Sequence, residues 1–184
     1  MKVFVRTGSI CVALLAVAMA APAASAAGQA ELKGNAPIAT EGVEGVQVDK
    51  QATEETKQII AAEPAIAAAA ANVCGSGYTI SVRAARYGAY ATAYTWTNGK
   101  TTGDSYNDKP ICAVLFNDTG VAHYMGIRLK DNYTSTPDVQ DFGTYSTYAG
   151  PVYQNRGYCG VAYSYMKVGS KVVVDNNLTV GACN

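Results

Sequence analysis

The chain has 184 residues, with 14 Lys or Arg against 14 Asp or Glu, so its formal net charge at pH 7 is zero. Residues 73–184 hold nine bases and seven acids, a balance too small for the clustered basic surface expected of a protein that binds nucleic acid or an anionic membrane. No set of residues specifies a reaction, so the sequence indicates compartment and architecture and predicts no enzyme.

The first 26 residues have the order of a secretory signal peptide. Lys2 and Arg6 precede an apolar run at residues 10–21, and the small-residue sequence Ala-Ser-Ala follows at 24–26. The apolar run falls short of the roughly 20 residues that span a bilayer. We therefore predict cleavage after Ala26, loss of Cys11 with the signal, and a secreted mature protein.

Residues 27–72 are acidic, Ala-rich and free of aromatic side chains, with seven acids against three lysines. Such a segment buries too little apolar surface to offset the entropy of ordering its backbone, which predicts a mobile, mostly disordered linker or pro-segment. A helix is predicted over residues 51–63, with Asp49 as its cap and Pro64 after its end. The alanines at 67–71 predict a flexible joint or a protease site.

Residues 73–184 differ sharply, because they contain no Glu and all 13 tyrosines of the chain. Enrichment in Tyr, Thr and Val is typical of sheet, and short alternating runs separated by turn residues predict seven to nine strands. We therefore predict one all-β domain, a small disulfide-bonded β-sandwich or partly closed barrel. The main strand candidates are residues 78–83, 88–97, 111–116, 123–130, 141–153, 158–166, 171–174 and 178–180.

Three of these candidates carry more specific signals. The continuous apolar run at 111–116 predicts a central strand. Pro151 cannot donate to a neighbouring strand, so Gly150-Pro151 predicts an edge or a corner. The sequence Val168-Gly169-Ser170 predicts the turn of a hairpin between 158–166 and 171–174.

Four cysteines remain after the signal: Cys74, Cys112, Cys159 and Cys183. In an oxidising compartment they predict two disulfides, for which three connectivities exist. We favour Cys74–Cys112 with Cys159–Cys183, since the second pair brackets the predicted hairpin; a Cys74–Cys183 bond is the alternative. With no CxxC spacing and His123 as the single histidine, neither a zinc site nor any other cofactor is expected.

The cysteine order and a tyrosine-rich run resemble a known family. Cys74-Gly-Ser-Gly-Tyr78, Cys112, residues 143–153 with their Tyr-Ala-Gly-Pro-Val-Tyr sequence, Gly157-Tyr-Cys159 and Cys183 are similar to the spore-associated proteins that filamentous, spore-forming actinobacteria secrete. The resemblance covers about residues 73–184. It implies a protein of the spore or aerial-hypha surface, and it carries no catalytic residue to this chain.

Two places in the sequence carry residue types that are capable of catalysis or of binding a metal. His123 has Asp118 nearby in sequence, but no Gly-x-Ser-x-Gly elbow accompanies them, so a surface or packing role is favoured over a hydrolytic triad. Residues 104–108 offer oxygen ligands suited to calcium, yet they lack the spaced acidic loop with a terminal Glu. Turn formation explains them better.

Aromatic side chains are the candidate contact residues. Tyr90, Tyr94 and Trp96 fall on one side of a predicted strand and could stack on sugar rings, although core packing is the favoured interpretation. Thirteen tyrosines exceed what one small core is expected to bury, which predicts phenol rings in contact with water. Surface contacts are predicted at Trp96 and at the three tyrosines of the family-like run, Tyr145, Tyr148 and Tyr153.

The predicted function is therefore a secreted, non-enzymatic protein of a spore or cell surface, an adhesive or coat component. Its expected partners are surface proteins or polysaccharide, with no nucleic acid and no membrane after signal cleavage. The alternative is a secreted inhibitor of a glycosidase or protease, which a rigid exposed loop carrying an aromatic and a base, such as Tyr106 to Lys109, would support.

Overall fold

The computed structural model describes residues 46–183. The predicted signal peptide and the first part of the acidic segment lie outside the described residues. Within 46–183, neither helix has the length and apolar character needed to cross a membrane. The elements in chain order are β1 (Gln47–Val48), α1 (Glu54–Ala62), α2 (Pro64–Cys74), β2 (Ile80–Tyr87), β3 (Ala91–Thr97), β4 (Ile111–Asn117), β5 (His123–Lys130), β6 (Val139–Tyr145), β7 (Tyr148–Gln154), β8 (Val161–Val168) and β9 (Lys171–Thr179).

The strands form two sheets. One has five strands in the order β1-β2-β3-β4-β7, and the other has four in the order β6-β5-β8-β9. Every pairing is antiparallel except that of β1 with β2. The two sheets face each other and do not close into a barrel, so the predicted all-β, disulfide-bonded sandwich is confirmed.

The main core lies between the two sheets. Strand β4 contributes Ile111 and Leu115, while β5 contributes Met125, Ile127 and Leu129, and all five are fully buried. The β5 residues lie at every second position, and Ala113 lies between Ile111 and Leu115 in the same alternation, because successive side chains of a strand point to opposite faces. The apolar run at 111–116, predicted as a central strand, lies inside its sheet between β3 and β7 and is buried along its whole length.

A second core lies on the other face of the five-stranded sheet, where the two helices cover it. Ile59 and Ile60 of α1, together with alanines of α2, pack against Tyr94, Trp96 and Phe116 of the sheet. The described residues therefore form three layers: helices, five-stranded sheet and four-stranded sheet. This arrangement leaves the outer face of the four-stranded sheet without a covering layer.

The predicted helix at residues 51–63 is confirmed as α1, although its cap differs from the expected one. Thr53 is the N-cap and accepts a hydrogen bond from the Thr56 amide at 3.3 Å, as a threonine hydroxyl commonly does at this position. Asp49 instead accepts from the Gln51 amide at 2.8 Å. The Thr56 hydroxyl accepts from the Ala84 amide at 3.0 Å, which joins α1 to β2.

The expectation of a flexible joint at residues 67–71 is wrong. These alanines lie in α2, and Ala67 and Ala70 are fully buried. Small side chains let the helix lie close to the sheet, and the large apolar groups of the interface come from Tyr94 and Trp96 instead. Ordered packing therefore extends to Val46 in the described residues, whereas removal of the segment by a protease remains a prediction.

Both favoured disulfides are present. Cys74–Cys112 joins the end of α2 to β4, and Cys159–Cys183 joins the segment before β8 to the segment after β9. The predicted hairpin is confirmed as β8 and β9, with Gly169 at φ +59° in the turn between them. Such a positive φ favours glycine over any residue with a Cβ.

Gly150 and Pro151 lie in β7, which forms an edge of the five-stranded sheet as predicted. Gly150 has φ +99°, and a Cβ there would lie 2.8 Å from the Ala113 carbonyl oxygen. Its amide donates to Asp141 Oδ2 at 2.7 Å. Since Asp141 belongs to β6, this hydrogen bond links the edges of the two sheets.

Candidate functional site

The outer face of the four-stranded sheet carries an unusual set of side chains for a surface open to water. On β8, Tyr163 and Tyr165 alternate with the buried Ala162, Ser164 and Met166. On β5, Tyr124, Gly126 and Arg128 alternate with the core residues of that strand. Two neighbouring strands therefore present large aromatic groups outward, where polar side chains are the usual choice.

The strand register gathers these groups into one patch. Gly126 pairs with Phe142 on β6 and with Tyr165 on β8. Arg128, two residues further along β5, pairs with Gln140 and Tyr163 in the same way. Directly opposed residues share a face. We call the patch formed by Tyr124, Arg128, Gln140, Phe142, Tyr163 and Tyr165 the aromatic face.

Gly126 determines how the rings of this face meet. A Cβ at Gly126 would collide with the ring of Phe142, so the ring lies directly over the glycine backbone. From there, the Phe142 centroid is 6.4 Å from that of Tyr163 and 6.4 Å from that of Tyr165. Tyr124 extends the cluster, with its ring 6.3 Å from Tyr165 in an edge-on arrangement. Such spacings lie within the range of favourable aromatic pairs.

The six side chains line a shallow open groove of about 470 Å³. This volume falls within the range of about 300–1,000 Å³ typical of small-ligand sites, which also combine aromatic walls with a few polar groups. Tyr124 is 49% exposed at one end of the groove. The geometry therefore suits a ligand that lies on the sheet.

The charges at the aromatic face are paired. Arg128 lies over the Tyr163 ring, with its Cζ 4.8 Å from the centroid, and its Nε is 3.6 Å from Asp138 Oδ2. The Tyr163 hydroxyl donates to Asp175 Oδ1 at 2.9 Å. Burial, followed by this hydrogen bond, raises the pKa of Tyr163, so the phenol stays protonated at neutral pH.

The four contact residues predicted from the sequence lie outside the aromatic face. Trp96 is fully buried beside Tyr94, at 6.4 Å between centroids, beneath the helices. Its prediction as a surface contact is therefore wrong, because the helical layer covers that face of β3. Tyr148 is half-buried and packs on Phe116 at 5.6 Å.

Tyr145 and Tyr153 have structural partners of their own. The Tyr145 hydroxyl donates to Asp141 Oδ1 at 2.6 Å, and its ring packs at the edge of the main core. Tyr153 is 40% exposed, and its hydroxyl donates to the Cys74 carbonyl at 3.0 Å. A contact role for Tyr145, Tyr148 and Tyr153 remains a prediction, and these tyrosines lie outside the aromatic face.

The loop considered for an inhibitor does not present its base to solvent. Lys109 is 4% exposed, and its Nζ lies 3.5 Å from the ring centroid of Tyr106 and 4.3 Å from that of Tyr158. Two aromatic rings thus enclose the ammonium group, as cation–π attraction favours. The exposed base that would support an inhibitor role for this loop is therefore not found at Lys109.

Asp108 of the candidate calcium loop and Asp118 of the candidate triad both accept hydrogen bonds from other parts of the fold. Asp108 Oδ1 accepts from the Tyr133 hydroxyl at 2.9 Å, and Oδ2 accepts from the Ser105 amide at 3.2 Å, as in a turn. Asp118 Oδ2 accepts from the Thr92 hydroxyl at 2.7 Å. Burial raises the pKa of Asp118. His123 lies half-buried at the start of β5.

Alkaline pH is expected to unfold the protein. Hydrogen bonding to Asp141 raises the pKa of Tyr145 to about 12, and burial raises the pKa of Tyr94 and Tyr158. A phenol with a raised folded-state pKa contributes stability that is complete below its unfolded pKa, about 10. That stability is lost as pH rises from about 10 through the folded value. Tyrosinate absorbance and circular dichroism, recorded over the same titration, should show that the tyrosines with a raised pKa ionise at the pH at which the protein unfolds.

The chain in denaturant provides the reference for that titration, because all its tyrosines should ionise near the ordinary value. Complete ionisation of the folded protein near pH 10, with an unchanged circular dichroism spectrum, would contradict the expectation.

No protein-family model and no solved structure matches the chain. A curated relative, spore-associated protein A of Streptomyces coelicolor, is 38% identical over 88 residues, which are 47% of this chain and 52% of the relative. The chain thus spans about half the length of the curated relative that it matches. The match agrees with the resemblance in the cysteine and tyrosine motifs, and it shows similarity to one spore-associated protein over about half of the chain.

Proposed function

We propose that the protein is a secreted, non-enzymatic component of a spore or cell surface and that it attaches through the aromatic face. The observation that carries this proposal is the gathering of Tyr124, Phe142, Tyr163 and Tyr165 on a sheet face that no element within residues 46–183 covers. The name of the curated relative supports the location. Attachment supplies a reason for aromatic side chains where solvent would favour polar ones.

Aromatic surface left in contact with water is unfavourable compared with aromatic surface that is buried. Aromatic side chains bury about 150–250 Å² each when they are enclosed, and contiguous apolar patches on soluble proteins commonly mark interaction sites. The same fold buries Tyr94 and Trp96 completely. The exposed ring of Tyr124 and the half-buried rings beside it are therefore available to a partner, and the Tyr124 and Tyr165 hydroxyls can bond to it.

The side chains of the groove favour binding over chemistry. The six lining residues supply phenols, a phenyl ring, an amide and a guanidinium, but none of them is a carboxylate, an imidazole or a thiol. The raised pKa of Tyr163 keeps that phenol from acting as a base near neutral pH. These groups can hold a ligand, and the neighbouring carboxylates of Asp138 and Asp175 are engaged by Arg128 and Tyr163.

Spore retention tests the proposal. Wild-type protein should remain on washed spores of the producing strain through high salt and should leave in detergent, because apolar and hydrogen-bonded contacts resist ionic screening. The double variant Tyr124→Ser/Tyr165→Ser should instead appear mainly in the medium. Immunoblots of spore and medium fractions measure the distribution.

The matched control is Tyr90→Ser, because Tyr90 is also exposed but lies in the turn before β3, away from the aromatic face. It should remain on the spores. Full retention of a folded double variant, or release of the wild type by salt alone, would exclude attachment through this face.

A further inference from the structure

We infer that the ligand of the aromatic face is an uncharged polysaccharide, whose sugar rings lie against the aromatic rings in the groove. This inference rests on the proposed function, since it names the partner of the same face.

The lining fits sugar rings better than a protein surface. All six residues are aromatic or polar, and among the described residues no aliphatic side chain lines the groove. Sugar rings have apolar C–H faces that are attracted to the negative face of an aromatic ring. A stable protein partner would instead need about 20–30 residues on each side, far more than this groove provides.

Polar groups border the rings on two sides. Gln140 on β6 lies at one border. On β9, Asp175 and Asn177 pair with Tyr165 and Tyr163 and lie exposed at the other border. Amide and carboxylate groups can bond to ligand hydroxyls. An aromatic centre with hydrogen-bonding borders matches a ligand that has apolar ring faces and polar edges.

The rings also follow the strand direction. Tyr163 and Tyr165 are two residues apart on β8, with centroids 6.4 Å apart and an angle of 31° between the rings. Tyr124 continues the series beside Tyr165. Several aromatic contacts in sequence suit a repeating chain, because each added sugar unit can meet another ring.

Charge favours an uncharged chain over an anionic one. Arg128, the cation of the groove, already faces Asp138 and the Tyr163 ring. An anionic ligand would have to compete with Asp138 for this guanidinium, and it would approach the exposed Asp175. An uncharged ligand leaves both arrangements intact, so it avoids breaking an ion pair on binding.

The test uses the full secreted chain with insoluble cellulose, chitin and starch as uncharged probes and heparin-agarose as an anionic probe. The wild type should bind at least one uncharged polysaccharide at ordinary salt, and soluble oligosaccharides of the same sugar should compete. Tyr124→Ser/Tyr165→Ser should lower the affinity at least tenfold. Tyr90→Ser should bind as the wild type does, and circular dichroism checks the fold of each variant.

Because Tyr165 is half-buried, its replacement could disturb the sheet, so Tyr124→Ser alone provides a second variant. Tyr124 is 49% exposed and contacts the cluster through Tyr165, and a loss of severalfold in affinity is expected from this change. Gln140→Ala should also weaken binding, since Gln140 is exposed and contributes an amide to the border.

Several results would overturn the inference. The first is that the wild type binds none of the three uncharged polysaccharides, and the second is that the folded face variants bind them as strongly as the wild type does. The third is that heparin is the only probe whose binding depends on the face. The fourth is that the chain self-associates through the face and binds no glycan. Spore retention that depends on the face, without glycan binding, overturns this inference and leaves the proposed function standing. Glycan binding through the face, with spore retention that does not depend on the face, overturns the proposed function and leaves this inference standing.

Discussion

A chain that begins at Val73 is expected to aggregate or to unfold at much lower denaturant concentration than a chain that begins at Val46. Both chains retain Cys74 and can form the Cys74–Cys112 disulfide. The shorter one loses α1 and most of α2, which cover Trp96 and Phe116. These aromatic groups would then face water.

The expected loss is large. Exposing a buried aromatic side chain costs about 1.5–3 kcal/mol, and Tyr94, Trp96 and Phe116 all depend on the helical layer. Together they represent roughly 5–9 kcal/mol, a large share of the about 5–15 kcal/mol that stabilises a typical domain. Urea or guanidinium unfolding of the two chains measures the difference.

A point substitution isolates packing from chain length. Ile60→Ala in the longer chain should lower the free energy of unfolding by about 2–5 kcal/mol, because Ile60 is buried in the helical layer. Lys57→Ala is the matched control on the same helix, since Lys57 is exposed and pairs with Glu54 at the surface. Its effect should stay within about 1 kcal/mol. Equal unfolding free energies for the chains from Val46 and Val73 would contradict the cooperative role of the helices.

Local patterns were sufficient to predict much of the fold. Alternation of apolar and polar side chains depends on neighbours two residues apart, and it located the strands. The Gly169-Ser170 turn and the adjacent runs identified the β8–β9 hairpin. Because Cys159 and Cys183 bracket this hairpin in the sequence, their pairing was the favoured one. Pro151 indicated an edge strand because proline has no N–H to donate to a neighbouring strand. Each of these predictions depends on a short stretch of sequence.

The helical layer could not be predicted in the same way. Composition indicated that residues 27–72 lack apolar groups for a core of their own, and α2 does consist largely of alanine. The bulk of the interface comes from Tyr94, Trp96 and Phe116, which lie in other parts of the chain. Tertiary contact overrides the local composition of such a segment. Because the sequence did not predict a helical layer over this sheet, Trp96 was expected at the surface.

The aromatic face was missed for a related reason. Tyr163 and Tyr165 alternate visibly with small or core residues, and Tyr124 does so in its own strand, so the sequence contains the signal. Their meeting depends on the register of β6, β5 and β8, which places Phe142 over Gly126. Register between strands distant in sequence is not encoded in any one of them.

Replacing either disulfide is expected to destabilise the protein strongly, and with different consequences. The two bonds close loops with sequence separations of 38 and 24 residues, for which chain entropy gives roughly 3–4 kcal/mol each. Cys74→Ala/Cys112→Ala and Cys159→Ala/Cys183→Ala should therefore both unfold at lower denaturant concentration. Alkylation of the unreduced wild type should find no thiol in the mature protein.

The two disulfides also differ in how deeply their sulfurs are buried. Cys74 and Cys112 are buried between α2 and the five-stranded sheet, whereas Cys159 and Cys183 are half-buried near the chain end. Gentle reduction should therefore open Cys159–Cys183 first, which mass spectrometry after alkylation can follow. Loss of Cys74–Cys112 also removes the covalent link that holds α2 beside β4.

That link allows a sharper test by a double-mutant cycle. If the disulfide keeps the helical layer on the sheet, the Cys74→Ala/Cys112→Ala variant should populate a state in which the helices have detached and Trp96 is exposed. Ile60→Ala should then promote detachment more strongly without the disulfide than with it, and the two changes should not be additive. Trp96 fluorescence quenching by iodide below the global unfolding transition measures this state. Strict additivity, with Trp96 protected until global unfolding in every variant, would mean that the disulfide stabilises the chain without controlling the helical layer.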